Sequence, residues 1–125
     1  MPDYKHVTVG IPTKNRYDSL ALTLYSIINQ TVKPSEIIIV DDSDNPEDLR
    51  NLSVYKHIMQ LIDHYKIEWR VIWGLKQGQH HSHQLIQEAA KHDLIFRIDD
   101  DEVADYDVLE KLLSTIAVSW ARRCV

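Results

Sequence analysis

Residues 36–42 read EIIIVDD, an aliphatic run that ends in two carboxylates. Four consecutive β-branched residues are typical of a strand buried on both faces, as in a parallel sheet. Three similar runs occur along the chain, and they read HVTVGI at 6–11, WRVIW at 69–73 and LIFRI at 94–98. The segment therefore predicts one strand of a sheet to which the other three runs also belong.

Apolar residues at helical spacing fill the intervals between these runs. The first stripe ends before Pro34, and the second follows Asn45 and Pro46, a capping residue and a proline suited to the first helical position. The four stripes are Leu20, Leu24, Ile27 and Ile28; Leu49, Leu52, Met59 and Ile62; Leu85, Ile86, Ala89 and Ala90; and Leu109, Leu112, Leu113 and Ile116. The alternation predicts an α/β fold, a Rossmann-like open and mostly parallel sheet with helices on both faces.

Length and composition are those of a single globular domain. The chain has 125 residues, of which 44% are hydrophobic and 26% charged, with a net charge of -5. The acidic balance argues against non-specific nucleic-acid binding, which depends on Lys and Arg neutralising phosphates. No apolar run could span a membrane, residues 1–10 lack the features of a signal peptide, and Cys124 is the single cysteine. We therefore expect a reducing, cytoplasmic location.

Polar residues follow each predicted strand. The four segments are PTKNR at 12–16, DDSD at 41–44, GLKQG at 74–78 and DDDE at 99–102. In open α/β sheets, ligands bind beyond the carboxyl ends of the strands. The sequence thus predicts one site that combines two acidic clusters, basic side chains and flexible glycines.

The acidic run after the fourth strand has two interpretations. If the chain stays extended there, Asp99 and Asp101 point to one side and Asp100 to the other. Two carboxylates that leave other coordination positions of the ion open suit a hard cation such as Mg²⁺ or Mn²⁺. Without one, each like-charge pair at roughly 4 Å costs about 4 kcal/mol, and the cluster would repel a phosphate. The alternative is a solvated acidic turn before the fourth helix, with Asp105 and Asp107 as its N-terminal charges.

The pair Asp41 and Asp42 also has two interpretations. A carboxylate there can accept a hydrogen bond from a nucleobase N–H or from a ribose hydroxyl. Alternatively the segment forms an Asx turn and a helix cap, a role that Ser43, Asp44 and Asn45 could serve. We expect both uses, with Asp44 or Asn45 structural and one member of the pair functional.

Three segments in this order and spacing closely resemble glycosyltransferase family 2, which has the GT-A fold. They read HVTVGIPTKNR, SIINQTVKPSEIIIVDDSD and EAAKHDLIFRIDDDEVADYDVLEKL, and the resemblance covers nearly the whole chain. It implies a UDP-, GDP- or dTDP-sugar donor, Mn²⁺ or Mg²⁺ as cofactor, and an acceptor that the residues do not identify. The implied reaction is a metal-dependent transfer of the sugar to an acceptor hydroxyl with inversion of the anomeric centre.

By position, the resemblance assigns Pro12 and Thr13 to the nucleoside pocket, Asp42 to the base and Asp101 to the metal as its main ligand. Asp99 would contact the ribose or the metal. The nucleotide-binding candidates are Pro12, Thr13, Asp41, Asp42, Lys76 and Asp99, and the metal candidates are Asp99 and Asp101.

The sequence departs from the family pattern at several places. Lys14 stands where many members have an aromatic residue that stacks on the base, so Tyr17 becomes a candidate for stacking. Residues 81–84 read HSHQ where members often read AARN, and Gln84 is the nearest match to the Asn. Members continue into an acceptor-binding half that holds the catalytic base, so no base is assigned here. We expect residues 1–125 to form a single nucleotide-diphospho-sugar-binding domain without that half.

The sequence leaves one main alternative function and disfavours several others. A nucleotide-sugar-binding module without transferase activity of its own is the main alternative to an enzyme. A phospho-acceptor receiver domain would need its acidic pair after the first strand, where this chain has PTKNR. Zinc at His80, His81 and His83 is disfavoured, because no cysteine or carboxylate completes a tetrahedral set. One of these histidines facing a phosphate is a better interpretation.

A homo-oligomer and a peripheral membrane location through the acceptor are further expectations.

Overall fold

The computed structural model describes the backbone of residues 6–123 and the side chains of residues 6–116. Cys124 and the first five residues, which bear on the predicted compartment, lie outside the described residues. The described elements are the strands β1 (Val7–Thr13), β2 (Glu36–Asp41), β3 (Glu68–Trp73) and β4 (Leu94–Arg97), and the helices α1 (Tyr17–Ile28), α2 (Lys56–His64), α3 (Gln79–Ala89) and α4 (Val108–Arg123). Within this part of the chain, no helix has the length and apolar character needed to cross a membrane.

The four strands form one parallel sheet in the order β3-β2-β1-β4. Side chains alternate between its faces, as the two-residue period of a strand requires. Ile37 and Ile39 pack in the larger core with residues of α1, α2 and α4. Ile38 and Val40 face the other way and pack with Ile86 of α3. The predicted α/β sheet with helices on both faces is therefore confirmed.

The prediction that all four strands are buried on both faces is correct only for the central pair. The strands β1 and β2 are almost wholly buried, whereas exposed and half-buried residues alternate along β3, and β4 is half-buried to exposed. Both β3 and β4 lie at an edge of the described sheet, where fewer neighbours cover them. An Ile- and Val-rich run does not by itself distinguish a central strand from an edge strand.

The second helix begins later than predicted. Two short 3₁₀ turns, Leu49–Asn51 and Ser53–Tyr55, stand where the capping signals predicted an α-helix, and α2 begins at Lys56. The Asp48 carboxylate caps the first turn by accepting from the Arg50 amide at 3.0 Å. Extended backbone at Leu52 separates the two turns. The buried Tyr55, whose hydroxyl donates to the Tyr17 carbonyl, anchors the second turn to α1, so tertiary packing overrides the local signal.

Helix α3 lies unusually close to β1. A Cβ atom placed on Gly10 would come within 2.4 Å of Ile86 Cγ2, so the absence of a side chain allows this approach. Because α3 is seated here, its first turn reaches the carboxyl edge of the sheet, where Gln79 and Ser82 line a cleft.

Candidate nucleotide-binding site

A cleft of about 380 Å³ lies at the carboxyl edge of the sheet. All four segments that follow the strands contribute to it, as expected for a parallel sheet. Its lining consists of Pro12, Thr13, Lys14, Asn15, Arg16, Asp42, Lys76, Gly78, Gln79, Ser82, Asp99, Asp100 and Asp101. The polar residues that the sequence scatters over some 90 positions thus share one concave surface.

The structure brings most of the predicted site residues together but not all. The predicted residues that line the cleft are Pro12, Thr13, Asp42, Lys76, Asp99 and Asp101. Asp41, Tyr17, Gln84 and the three histidines at 80, 81 and 83 are absent from its lining. The assignment of roles within the cleft stays a prediction.

Asp41 is engaged inside the protein. Its Oδ2 accepts from the Tyr17 hydroxyl at 2.6 Å, and its Oδ1 accepts from the Ser43 amide at 2.9 Å. Burial, followed by the hydrogen bond to Asp41, raises the pKa of Tyr17. The Tyr17 hydroxyl in turn accepts from the Glu47 amide at 3.0 Å. The hydrogen bond between Tyr17 and Asp41 therefore joins the start of α1 to the end of β2, and neither residue lines the cleft.

Asp42 is the member of the pair that faces the cleft. Only 9% of the residue is exposed. Its Oδ1 accepts from the Lys76 amide at 3.2 Å, and its Oδ2 accepts from the Ser82 hydroxyl at 3.2 Å. Each carboxylate oxygen has two lone pairs, so both retain capacity to accept from a ligand.

The acidic segment after β4 turns instead of staying extended, so the condition for alternation of its carboxylates is not met. The Glu102 amide donates to the Asp99 carbonyl at 3.2 Å and closes the turn. Asp100, only 6% exposed, accepts from the Thr13 hydroxyl at 2.8 Å and from Arg16 at 3.4 Å. The middle carboxylate thus ties the turn to the end of β1, and Asp99 and Asp101 lie on the same cleft beside it.

Arg16 is the counter-ion of this turn. Its Nη1 lies 3.4 Å from Asp100 Oδ1 and 3.3 Å from Asp101 Oδ2. The side chains of Arg16 and Asp101 are 57% and 56% exposed. An exposed pair of this kind contributes about 0–1 kcal/mol, so a multivalent cation can displace it. Asp99 accepts from the Gln79 amide group at 3.0 Å.

The donor chemistry of Asp99 and Asp101 fits a divalent cation. Within residues 6–116, no three His, Cys, Asp or Glu side chains are placed to share a metal ion. Mg²⁺ and related hard cations are often held by one or two carboxylates, with substrate phosphates and water completing the shell. Two carboxylates beside an open cleft meet that requirement.

Two non-glycine residues in the lining of the cleft have left-handed backbone. Asn15 has φ 57° and Lys76 has φ 55°. Asn15 Nδ2 donates to Asp44 at 3.0 Å, and Lys76 Nζ lies 3.4 Å from the same carboxylate. The hydrogen bond from Asn15, and then that from Lys76, lowers the pKa of Asp44. Of the two residues expected to be structural, Asp44 and Asn45, it is Asp44 that makes these contacts.

Sequence reasoning missed several residues of the cleft. Gln79 and Ser82 lie outside all four predicted segments, whereas Arg16 and Asp100 lie within them but carry no assigned role; all four line the cleft. Gly78, with φ 92° just before α3, marks the point where the chain turns into the cleft. Nothing in the local pattern connects Ser82 with a carboxylate forty residues earlier, because only the tertiary fold brings them together.

The comparison with known families agrees with the fold and the cleft. Residues 8–121 match the family profile described as Glycosyl transferase family 2. The chain belongs to glycosyl transferase family 2. It is 30% identical over 109 residues to the glucosyl-dolichyl phosphate glucuronosyltransferase of Haloferax volcanii. The aligned residues cover 87% of this chain and 33% of that protein.

Solved structures of glycosyltransferases share the fold. TarS 1-349 from S. aureus, solved with UDP-GlcNAc, aligns over 90% of this chain and 31% of that one, with a TM-score of 0.66 and 18% identity. The mannosyltransferase PcManGT from Pyrobaculum calidifontis was solved with GDP-Man and Mn²⁺. Its structure aligns over 93% of this chain and 33% of its own, with a TM-score of 0.66 and 19% identity. This family 2 chain thus spans about a third of the length of each of these three proteins.

Proposed function

We propose that the cleft binds a nucleotide-diphospho-sugar donor, UDP-, GDP- or dTDP-linked, for transfer of the sugar to an acceptor hydroxyl. The observation that carries this proposal is the convergence of Asp42, Lys76, Asp99 and Asp101 on one cleft at the carboxyl edge of the sheet. Family 2 membership supports it, and so do the UDP-GlcNAc and GDP-Man in complexes of similar fold.

The roles proposed for these residues are those that the family resemblance implies, and they are consistent with the chemistry of each group. The Asp42 carboxylate accepts from N–H groups of the base, while Pro12 and Thr13 line the nucleoside pocket. The Lys76 ammonium, 56% exposed at the rim, offsets phosphate charge. Asp99 binds the ribose or the metal.

Asp101 and Asp99 would hold Mn²⁺ or Mg²⁺, and a cation bound there would neutralise charge on the departing diphosphate. Arg16 would then be released from Asp101 and could approach a phosphate oxygen. We propose direct displacement with inversion at the anomeric carbon, and we assign no catalytic base within this chain. The cytoplasmic location, or a peripheral one through a membrane-borne acceptor, stays a prediction.

A thermal melt tests the donor site. The protein is heated with and without Mn²⁺, with UDP, GDP or dTDP added in turn. Ligand at a hundred times its dissociation constant stabilises the fold by about 2.7 kcal/mol. For a domain of this size that raises Tm by on the order of 10 °C. We expect one nucleotide to produce this shift only when Mn²⁺ is present.

Two variants sharpen the measurement. Asp101→Ala should abolish the shift, because it removes the main carboxylate for the cation. Asp63→Ala removes an exposed carboxylate of α2 that lies outside the cleft lining, and this variant should keep the shift. A cooperative melt that no nucleotide moves would contradict the proposal.

The alternative is a module that binds the donor without transferring its sugar. The discriminating measurement is release of nucleoside diphosphate from a bound sugar nucleotide, followed over time with a panel of polyol acceptors. Release that depends on acceptor and metal supports the transferase. Binding without release favours the module.

A further inference from the structure

We propose that Gly74 and Ser82 are positioning residues that fix the orientation of the Asp42 carboxylate and thereby set the affinity of the cleft for the nucleobase. The inference rests on the proposed function, because it concerns how the same cleft recognises the base of its donor. Neither residue contacts the ligand in this scheme; both act through Asp42.

The first observation is the space that Gly74 leaves. A Cβ atom on Gly74 would lie 1.6 Å from Asp42 Oδ1 and 2.4 Å from its Cγ, so the carboxylate occupies the place of a side chain. The Gly74 amide donates to the Asp41 carbonyl at 2.8 Å, which ties this backbone to β2. Gly74 is outside the left-handed region, so its conformation alone does not require glycine. The requirement comes from Asp42.

The second observation is the hydrogen bond from Ser82. Its hydroxyl lies 3.2 Å from Asp42 Oδ2 and 3.4 Å from the Gly78 carbonyl. Ser82 is only 2% exposed, so water does not readily replace this donor. The Lys76 amide holds the other oxygen at 3.2 Å.

Together these contacts leave the carboxylate one orientation. Gly74 allows it to approach the backbone after β3, Lys76 holds Oδ1 and Ser82 holds Oδ2. A carboxylate oriented before the ligand arrives does not lose rotational freedom on binding, which strengthens its contact with a base N–H. Without the Ser82 hydroxyl, or with a Cβ at Gly74 that displaces Oδ1, the Asp42 carboxylate must be ordered when the base binds. The affinity for the base then falls, while contacts to the diphosphate are unchanged.

The test compares two ligands by isothermal titration calorimetry in the presence of Mn²⁺. One is the nucleoside diphosphate that binds wild type best, chosen from UDP, GDP and dTDP. The other is inorganic pyrophosphate, which has no base. We expect Ser82→Ala to weaken binding of the nucleoside diphosphate about 5-fold, through loss of one hydrogen bond, and Gly74→Ala about 30-fold, because the added Cβ displaces the Asp42 carboxylate. Pyrophosphate affinity should change less than about 2-fold.

Two further variants control for effects on folding. Ser82→Thr keeps the hydroxyl and should restore most of the nucleoside diphosphate affinity. Glu88→Gln changes an exposed residue of the same helix that lies outside the cleft lining, and it should behave as wild type.

The outcomes separate this inference from the proposed function. If wild type binds none of the three nucleoside diphosphates, the proposed function fails and the inference fails with it. If wild type binds but Ser82→Ala and Gly74→Ala bind equally well, only the inference is overturned. Equal losses for the nucleoside diphosphate and pyrophosphate would indicate a general disturbance of the cleft, which also overturns it.

Discussion

The Glu36 carboxylate shows how single side chains stabilise this sheet. Only 2% of Glu36 is exposed, at the amino end of β2. Its Oε1 accepts from the Thr8 hydroxyl at 2.8 Å and from the Lys91 amide at 2.9 Å, and Arg70 lies 3.7 Å from Oε2. A buried charge is tolerated only when it is paired and hydrogen-bonded. The Thr8 hydroxyl, the Lys91 amide and Arg70 therefore offset the cost of burying Glu36.

We expect Thr8→Val to lower the free energy of unfolding by about 1.5–3 kcal/mol, the usual contribution of a hydrogen bond to a charged group. Thr23→Val is the matched control, since Thr23 is equally buried but donates to a neutral carbonyl, that of Glu102. Its expected loss is about 0.5–1.5 kcal/mol. Urea unfolding of both variants measures the difference, and equal losses would contradict the role assigned to the Glu36 charge.

At the scale of elements, the contact between β1 and α3 determines where the cleft forms. Ile86 lies against the backbone of Gly10, and this contact seats the helix whose first turn lines the cleft. The prediction of strands and helices from periodicity was successful here, because apolar spacing is a local property. The depth at which α3 packs was not predictable, because it depends on a residue about seventy-five positions away.

Gly10→Ala should destabilise the protein by about 1–3 kcal/mol, because the added Cβ overlaps the Ile86 side chain. Ile86→Ala alone should cost about 2–5 kcal/mol through the cavity it leaves. In the double variant the new methyl group occupies part of that cavity. The double variant should therefore lose less free energy of unfolding than the two single variants lose in sum. Strict additivity in urea unfolding would argue against a direct contact.

At the scale of the whole molecule, ionisation makes stability depend on pH. The pKa of His83 is lowered by burial and then by the charge of Arg97. Its Nδ1 is a buried atom without a hydrogen-bond partner among the described residues. The pKa values of Asp44 and Glu68 are lowered too, chiefly by hydrogen bonds from Asn15 and Lys91. In all three cases the unfolded chain binds a proton more readily, so acid favours unfolding.

The free energy of unfolding should therefore fall in two stages as the pH drops. The first stage begins below about pH 6.5, where His83 becomes protonated in the unfolded chain but resists protonation in the folded protein. The second begins near pH 4, where the carboxylates lose their pairing. His83→Gln should reduce the loss between pH 7 and pH 5, measured as urea midpoints. His80→Gln serves as the control from the same helix, and a loss in His83→Gln as large as in wild type would contradict this assignment.

The assembly of the molecule stays a prediction. The strands β3 and β4 lie at the two edges of the described sheet, and Leu22, Val103 and Tyr106 are exposed apolar residues. Such features favour association, in line with the expected homo-oligomer.

The sequence by itself determined the α/β class, the parallel sheet and most of the cleft. Hydrophobic periodicity is read over a few residues, and polar residues that follow parallel strands must meet at one edge. Resemblance to the family added roles for Asp42, Asp99 and Asp101 that spacing alone leaves open.

Only the tertiary structure decided which neighbouring carboxylate faces the cleft. Asp41 and Asp42 have the same chemistry and adjacent positions, yet Tyr17 and Ser43 engage one while Lys76 and Ser82 hold the other toward the cleft. The turn that buries Asp100 likewise depends on Thr13, at the end of β1, and on Arg16, in the segment that follows it. The orientation of a carboxylate is set by the donors that surround it, and those donors come from segments far apart in the sequence.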